Sequence, residues 1–174
     1  MSEGPPAVGG DRDAGGADGS GEGVWYRAGL RFACTQCGNC CTGGPGAVWF
    51  SPEEGKAMAA ALGLGEEEFL RRYTRRIGVR RSLNERRTEF GYDCIFLDRT
   101  SIPGKAVCGL YRARPSQCRT WPFWAENIES EEAWAEVKAR TPCPGMGQGR
   151  LHSFVEITVQ RDADRKREAY GEDP

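Results

Sequence analysis

Apolar residues fall into patterned blocks only from Val24 onward. Before that, residues 1–23 (MSEGPPAVGGDRDAGGADGSGEG) hold eight glycines and no aromatic side chain. Such a head buries too little apolar surface to offset its ordering entropy, so disorder is expected there. The five tryptophans, at 25, 49, 121, 124 and 134, place the folded domain at 24–160. A turn at 42–46 (TGGPG) leads into a short extended segment at 47–50. Ser51, Pro52 and Glu54 then read as N-cap, first helical residue and capping-box partner. Met58, Ala61 and Leu62 form the apolar stripe of that helix, and Gly63 its stop. A second helix is expected over 66–77, with Phe69, Leu70, Tyr73 and Ile77 on one side.

Farther along, 92–97 (YDCIFL) and 106–111 (AVCGLY) read as two strands of a hairpin around a turn at 101–105. Cys94 and Cys108 would then sit one on each strand. Pro115 and Pro122 leave room for one helical turn between them. Ser130 caps a helix over 131–140, and 142–149 is an irregular glycine-rich loop. A final strand is expected at 151–159, followed by a charged, flexible tail at 161–174. The pattern as a whole predicts a small, irregular α+β domain with short strands and several helices.

The chain has 174 residues, 39% of them hydrophobic, with a formal net charge of −1. That length suits one domain with a core of its own. Near-neutrality argues against a generic polyanion binder. No apolar signal region opens the chain, and no run approaches the ~18 apolar residues of a membrane span. A cytoplasmic location with no membrane contact is the expectation, and there clustered cysteines usually serve metal or catalysis.

Eight cysteines stand at 34, 37, 40, 41, 94, 108, 118 and 143. Four of them crowd into CTQCGNCC at 34–41. A CxxC step lets two sulfurs converge on one metal, and here the step occurs twice, Cys34 to Cys37 to Cys40. That run matches the opening of the bacterial ferredoxin pattern, and Cys143-Pro144 supplies a remote Cys-Pro. Four-cysteine zinc sites use the same pairs. On an extended backbone Cys40 and Cys41 would point apart, which sends them to different sites. Eight thiols at four per site make two sites by arithmetic; one site with spare thiols remains the alternative. Inert burial does not account for a cluster interrupted by polar Thr35, Gln36 and Asn39. The reading favours iron–sulfur, as [4Fe–4S], over Zn2+, with metal holding the domain in shape.

With these residues in view, the chain resembles the cysteine-cluster family named CxxCxxCC, zinc- or iron-chelating proteins. Its CxxCGxCC opening is met in full by Cys34, Cys37, Gly38, Cys40 and Cys41. A C-x-F-L segment follows as Cys94-Ile95-Phe96-Leu97. A longer one runs from Cys108 and Tyr111 through Arg114-Pro115 and Cys118-Arg119 to Pro122-Phe123, with Leu110 and Trp121 as mild departures. The closing C-P-G-x-G is Cys143-Pro144-Gly145-Met146-Gly147. The resemblance covers about 32–149 and implies metal chelation. Flagellin lysine methylases that use S-adenosylmethionine resemble the same family, with cysteines proposed to hold an iron–sulfur cluster, so methyl transfer to protein is a second functional class. The chain has no GxGxG-type donor loop after a strand and no C-x3-C-x2-C radical pattern. A zinc-stabilised interaction module without catalysis is a third.

Clustered thiolates leave negative charge, and Arg112, Arg114 and Arg119 are the candidate cations beside it. Backbone N–H groups of Gly38 and Gly109 are candidate donors to sulfur. Trp121, Phe123 and Trp124 read as core or as an apolar cover over the site. Between 71 and 87 stand eight arginines against Glu85 alone. On a helix Arg71 would oppose Arg75, and Arg72 would oppose Arg76. The alternatives are a solvated face neutralised by Glu66, Glu67 and Glu68, or a surface for an acidic protein or nucleic acid. His152, the only histidine, falls in the expected last strand and reads as no ligand.

Overall fold

The computed structural model describes residues 23–169; the Gly-rich head up to residue 22 and residues 170–174 lie outside the described part. Among the described residues are five helices and four two-stranded antiparallel pairs, a small mixed α+β domain. None of those helices is long and apolar enough to cross a membrane.

Strand β1 (Leu30–Phe32) pairs with β8 (Met146–His152), setting Leu30 opposite His152 and Phe32 opposite Met146 across a bulge. The two ends of the domain are thereby tied together. Helix α1 (Pro52–Ala61) starts as its sequence dictates. Ser51 Oγ accepts from Glu54 N at 3.2 Å, and Glu54 Oε2 accepts from Ser51 N at 2.9 Å. Its buried stripe is Gly55, Met58 and Ala59, with Ala61 turned outward.

Helix α2 (Glu66–Tyr73) ends four residues before the expected Ile77. Thr74 takes extended φ and ψ, and Gly78, at φ +59°, makes the two-residue turn that folds β2 (Thr74–Ile77) onto β3 (Arg80–Leu83). Glycine populates that left-handed φ without penalty, so the turn outweighs the helical pattern. A second hairpin joins β4 (Glu85–Thr88) to β5 (Gly91–Cys94). The short β6 (Leu97–Asp98) pairs with β7 (Val107–Cys108). The single hairpin expected over 92–111 is therefore two: Cys94 faces Glu85 and Cys108 faces Leu97.

The arginine segment is consequently strand, not helix, beyond Tyr73, so the helical opposition expected at Arg75 and Arg76 gives way to strand pairing, with Arg75 opposite Ser82 and Arg76 opposite Arg81. Arg72 pairs with Glu68 at 2.8 Å, and Arg75 with Glu85 at 2.7 Å. Arg81 donates to Thr74 Oγ1, and Arg86 to the Leu97 carbonyl. Much of this charge is used inside the fold.

Helix α3 (Ser116–Thr120) is the expected single turn, and α4 (Glu131–Arg140) begins with Ser130 Oγ accepting from Ala133 N at 3.1 Å. The expected strand at 151–159 is largely helix: α5 (Phe154–Ala169) runs on through the start of the expected tail. Its β-branched residues suggest a strand, but Ser153 and Glu156 form a reciprocal cap. Ser153 N donates to Glu156 Oε2 at 2.8 Å, and Glu156 N to Ser153 Oγ at 3.3 Å. Burial follows the helical period. Ile157 is wholly buried, whereas Val155 and Val159 are 66% and 63% exposed. Asp164, also buried, accepts from Ala125 N at 3.0 Å and pairs with Arg167.

The core is divided. Met58, Ala59, Phe69, Leu83 and Leu110 form one cluster, with Phe96, Cys94 and Cys108 packed on it. Trp121, Val137, Cys143 and Met146 form another, with Cys37 against it. A third, built on Tyr26, Phe123, Ile128 and Ile157, shares Phe32 and Trp134 with the second. Cysteines thus belong to both sides of the molecule.

Ile157→Ala is expected to lower the unfolding free energy by about 2–5 kcal/mol, and Val159→Ala by less than about 0.5 kcal/mol, in urea titrations. Equal losses would mean the two residues share a face, as they would on a strand.

Candidate metal centre

The cysteine loop follows β1 directly and is pinned to the β6–β7 connection. Gln36 O accepts from Ala106 N at 2.8 Å, and Lys105 Nζ donates to Thr35 O at 3.2 Å. Gly38 sits at φ +78°, and a Cβ there would come within 2.6 Å of Ala106 Cβ. Only glycine meets both demands. Cys41 N donates to Gly38 O at 2.9 Å, closing a 3-10 turn over Asn39–Cys41. Asn39 Nδ2 donates to Pro142 O at 2.8 Å, binding this turn to the loop that carries Cys143. The expected divergence of Cys40 and Cys41 does not occur: in the tight turn their sulfurs lie 3.8 Å apart.

The later cysteines arrive from separate elements. Cys94 ends β5, and Cys108 ends β7. Cys118 rides on α3, which is fixed from two directions. Gln117 bridges Trp49 N at 2.7 Å and Ala47 O at 3.1 Å, and Ser116 N donates to Glu54 Oε1 at 2.6 Å. The α1 capping residue therefore also positions a cysteine-bearing turn. Cys143 is held near β1 by the bond from Ala33 N to Gly145 O at 3.2 Å. At Gly145 a Cβ would lie 1.9 Å from the Ala33 carbonyl oxygen, so the approach requires glycine.

All eight cysteines line one cavity of about 580 Å³. All are free thiols. Among the described residues no three Cys, His, Asp or Glu side chains are already arranged to hold one ion. The sulfurs surround a space rather than closing on a point.

Electrostatics mark these thiols as costly to ionise without a counter-charge. Cys41 is pushed up by its bond with Cys40 and by burial. Burial pushes Cys94 up to about 12. It also raises Cys108 and Cys143. Cys118 rises through burial and the nearby Cys41, Cys94 and Cys108. Opposing this, nearby backbone N–H groups favour the anions: Phe96 for Cys94, Leu110 for Cys108, and Gly145 and Met146 for Cys143. Such donors favour the anion once a cation is present. Gly109, expected in that role, instead donates to Phe96 O at 2.9 Å.

Of the expected cations, Arg114 and Arg119 line the cavity, and Arg114 favours the anions of Cys41, Cys108 and Cys118. Arg112 is exposed and is not part of the lining. Arg99 is a cation that motif reading missed. Its guanidinium forms a two-point pair with buried Asp93, at 2.8 and 3.0 Å, and feels the charges of Cys41 and Cys37. No spacing rule points to it; Asp93 aims it from beneath. Trp121 and Trp124 meet edge-on at 4.9 Å and line the cavity, while Phe123 is core. Three buried polar atoms without a protein partner belong to lining residues: Thr35 Oγ1, Trp121 Nε1 and His152 Nδ1. Burial, then Arg150, lowers the His152 pKa and favours neutral imidazole.

The family model CxxCxxCC, described as "Putative zinc- or iron-chelating domain", matches residues 33–144. The chain belongs to this family. The CxxCxxCC match takes in every cysteine that lines the cavity. It supports zinc or iron chelation without choosing between them. No solved structure matches the chain.

Thiols raised by burial are protonated at pH 7, and a metal binds the thiolate, so binding displaces protons. Affinity is therefore expected to rise with pH from 6 to 8, by about tenfold per unit for each proton displaced. Chelator competition at pH 6, 7 and 8 measures the slope; a flat profile would contradict it.

Proposed function

We propose that the protein holds a cysteine-ligated iron–sulfur centre in the cavity between its two cysteine-bearing cores. The observation that carries this reading is the arrangement of eight thiols around a cavity of about 580 Å³ in which, among the described residues, no three donors converge at single-ion spacing. A cluster several atoms across is reached from a cavity wall more readily than a bare ion. The Cys34, Cys37, Cys40 run and the Cys143-Pro144 pair support the same choice. Arg99 and Arg114 supply positive charge beside the sulfur anions, and the N–H donors from Phe96, Leu110 and Gly145 stabilise thiolate ligands. When bound, such a cluster supplies one-electron transfer or a Lewis-acidic iron.

Zinc is the second reading, and one distance favours it. A tetrahedron of zinc–sulfur bonds near ~2.3 Å has edges of about 3.8 Å, which is the Cys40–Cys41 separation. In that case Cys40 and Cys41 share one ion, and the centre is a closed structural site.

Anaerobic purification, metal and acid-labile sulfide analysis and a visible spectrum separate the two. Iron with matching sulfide and broad visible absorption is expected; stoichiometric zinc in a colourless protein would overturn the iron–sulfur assignment. Cys37→Ser is expected to empty the centre and lower the melting temperature, since metal-binding energy is folding energy in small sites. Unchanged metal content and melting temperature would remove Cys37 from the ligand set.

A further inference from the structure

We infer that His152 supplies a nitrogen ligand to the metal centre through Nδ1, on the side of the cavity built by Cys37 and Cys143. The inference rests on the reading of the cavity as a metal site. It departs from the sequence pattern, in which His152 belongs to no cysteine motif and lies beyond the matched span of 33–144.

The two nitrogens of the imidazole differ in their surroundings. Nε2 lies 3.3 Å from the Phe32 carbonyl oxygen. A carbonyl oxygen only accepts, so Nε2 carries the proton in this bond, and Nδ1 then holds the lone pair. Nδ1 is buried and has no partner in the protein. A buried acceptor left unpaired is unfavourable unless something outside the chain meets it. His152 lines the thiol cavity, so the candidate partner is whatever that cavity holds. An imidazole that donates one N–H to a backbone carbonyl and offers the other nitrogen is the usual arrangement of a metal-bound histidine, because the carbonyl fixes both tautomer and ring orientation.

The ring lies against Phe32, and Phe32 packs on the core that carries Cys37 and Cys143. The β1–β8 pairing sets His152 opposite Leu30 and Phe32 opposite Met146. The Phe32 side chain packs on the cluster of Trp121, Val137, Cys143 and Met146, and Cys37 packs there too. The ring is further held by Phe123, with centroids 4.8 Å apart. Two more unpartnered buried groups, Trp121 Nε1 and Thr35 Oγ1, belong to the same lining. Both can donate to anionic sulfur in that cavity.

His152 is the only histidine of the chain, so labelling untagged protein with [15N]histidine reports this residue with no substitution. Metal-free protein should show the Nε2–H tautomer. Loading with 113Cd2+, a thiolate- and imidazole-binding probe, should shift the Nδ1 resonance and split it by 113Cd–15N coupling. His152→Ala should weaken Cd2+ binding at least about tenfold while keeping the thiolate–cadmium absorption in the ultraviolet. Stoichiometric Cd2+ binding with Nδ1 unshifted and uncoupled would overturn the histidine ligand and leave the thiol centre standing. Failure of the metal-free protein to bind Cd2+, together with neither iron, sulfide nor zinc in the protein as purified, would overturn both.

Discussion

Sulfur in a partly buried space ionises readily only beside compensating positive charge, a constraint that bears on every thiol raised by burial here. Thiols from the 34–41 loop, β5, β7, α3 and the 142–145 loop all reach one cavity. Cys94 and Cys108 pack against the core of Phe69 and Leu83; Cys37 and Cys143 pack against that of Trp121 and Met146. Neither core is large, and the strand pairs that decorate them have two strands each. Two-stranded ribbons are marginal without a partner surface. A metal gripped from both sides would cross-link the two cores.

The surrounding polar structure serves the same end. Asp93 is buried and orients Arg99 toward the cysteine loop, a cation positioned by an anion. Glu54 caps α1 and also receives the Ser116 amide, so one carboxylate fixes both a helix start and the turn that carries Cys118. Gly38 and Gly145 let backbone segments approach where a methyl group would collide. Each device lies far in sequence from some of the thiols it positions.

How much of this could be read beforehand depends on how local each signal is. The starts of α1 and α4 were legible because a cap is written within four residues, Ser51 to Glu54 and Ser130 to Ala133. The cysteines were legible through their spacing. The hairpins of 74–94 were not, apart from β5, which falls in the strand expected from residue 92: they are rich in arginine, and their register depends on tertiary pairing. The helix at Phe154–Ala169 was masked by Val, Ile and Thr, though Ser153 and Glu156 carried its cap in plain view. Arg99 and the lone pair of His152 were invisible, because their meaning comes from Asp93 and from the Phe32 carbonyl, contacts that no spacing rule encodes.

The central claim is that thiols of both cores bind one common centre. Cysteine alkylation followed by mass spectrometry, on the protein as purified and after metal removal, tests it most directly. Cys37 and Cys143 from one core and Cys94 and Cys108 from the other are expected to be protected together and to become reactive together when metal is stripped. Protection confined to 34–41, with Cys94, Cys108 and Cys143 indifferent to metal, would contradict it.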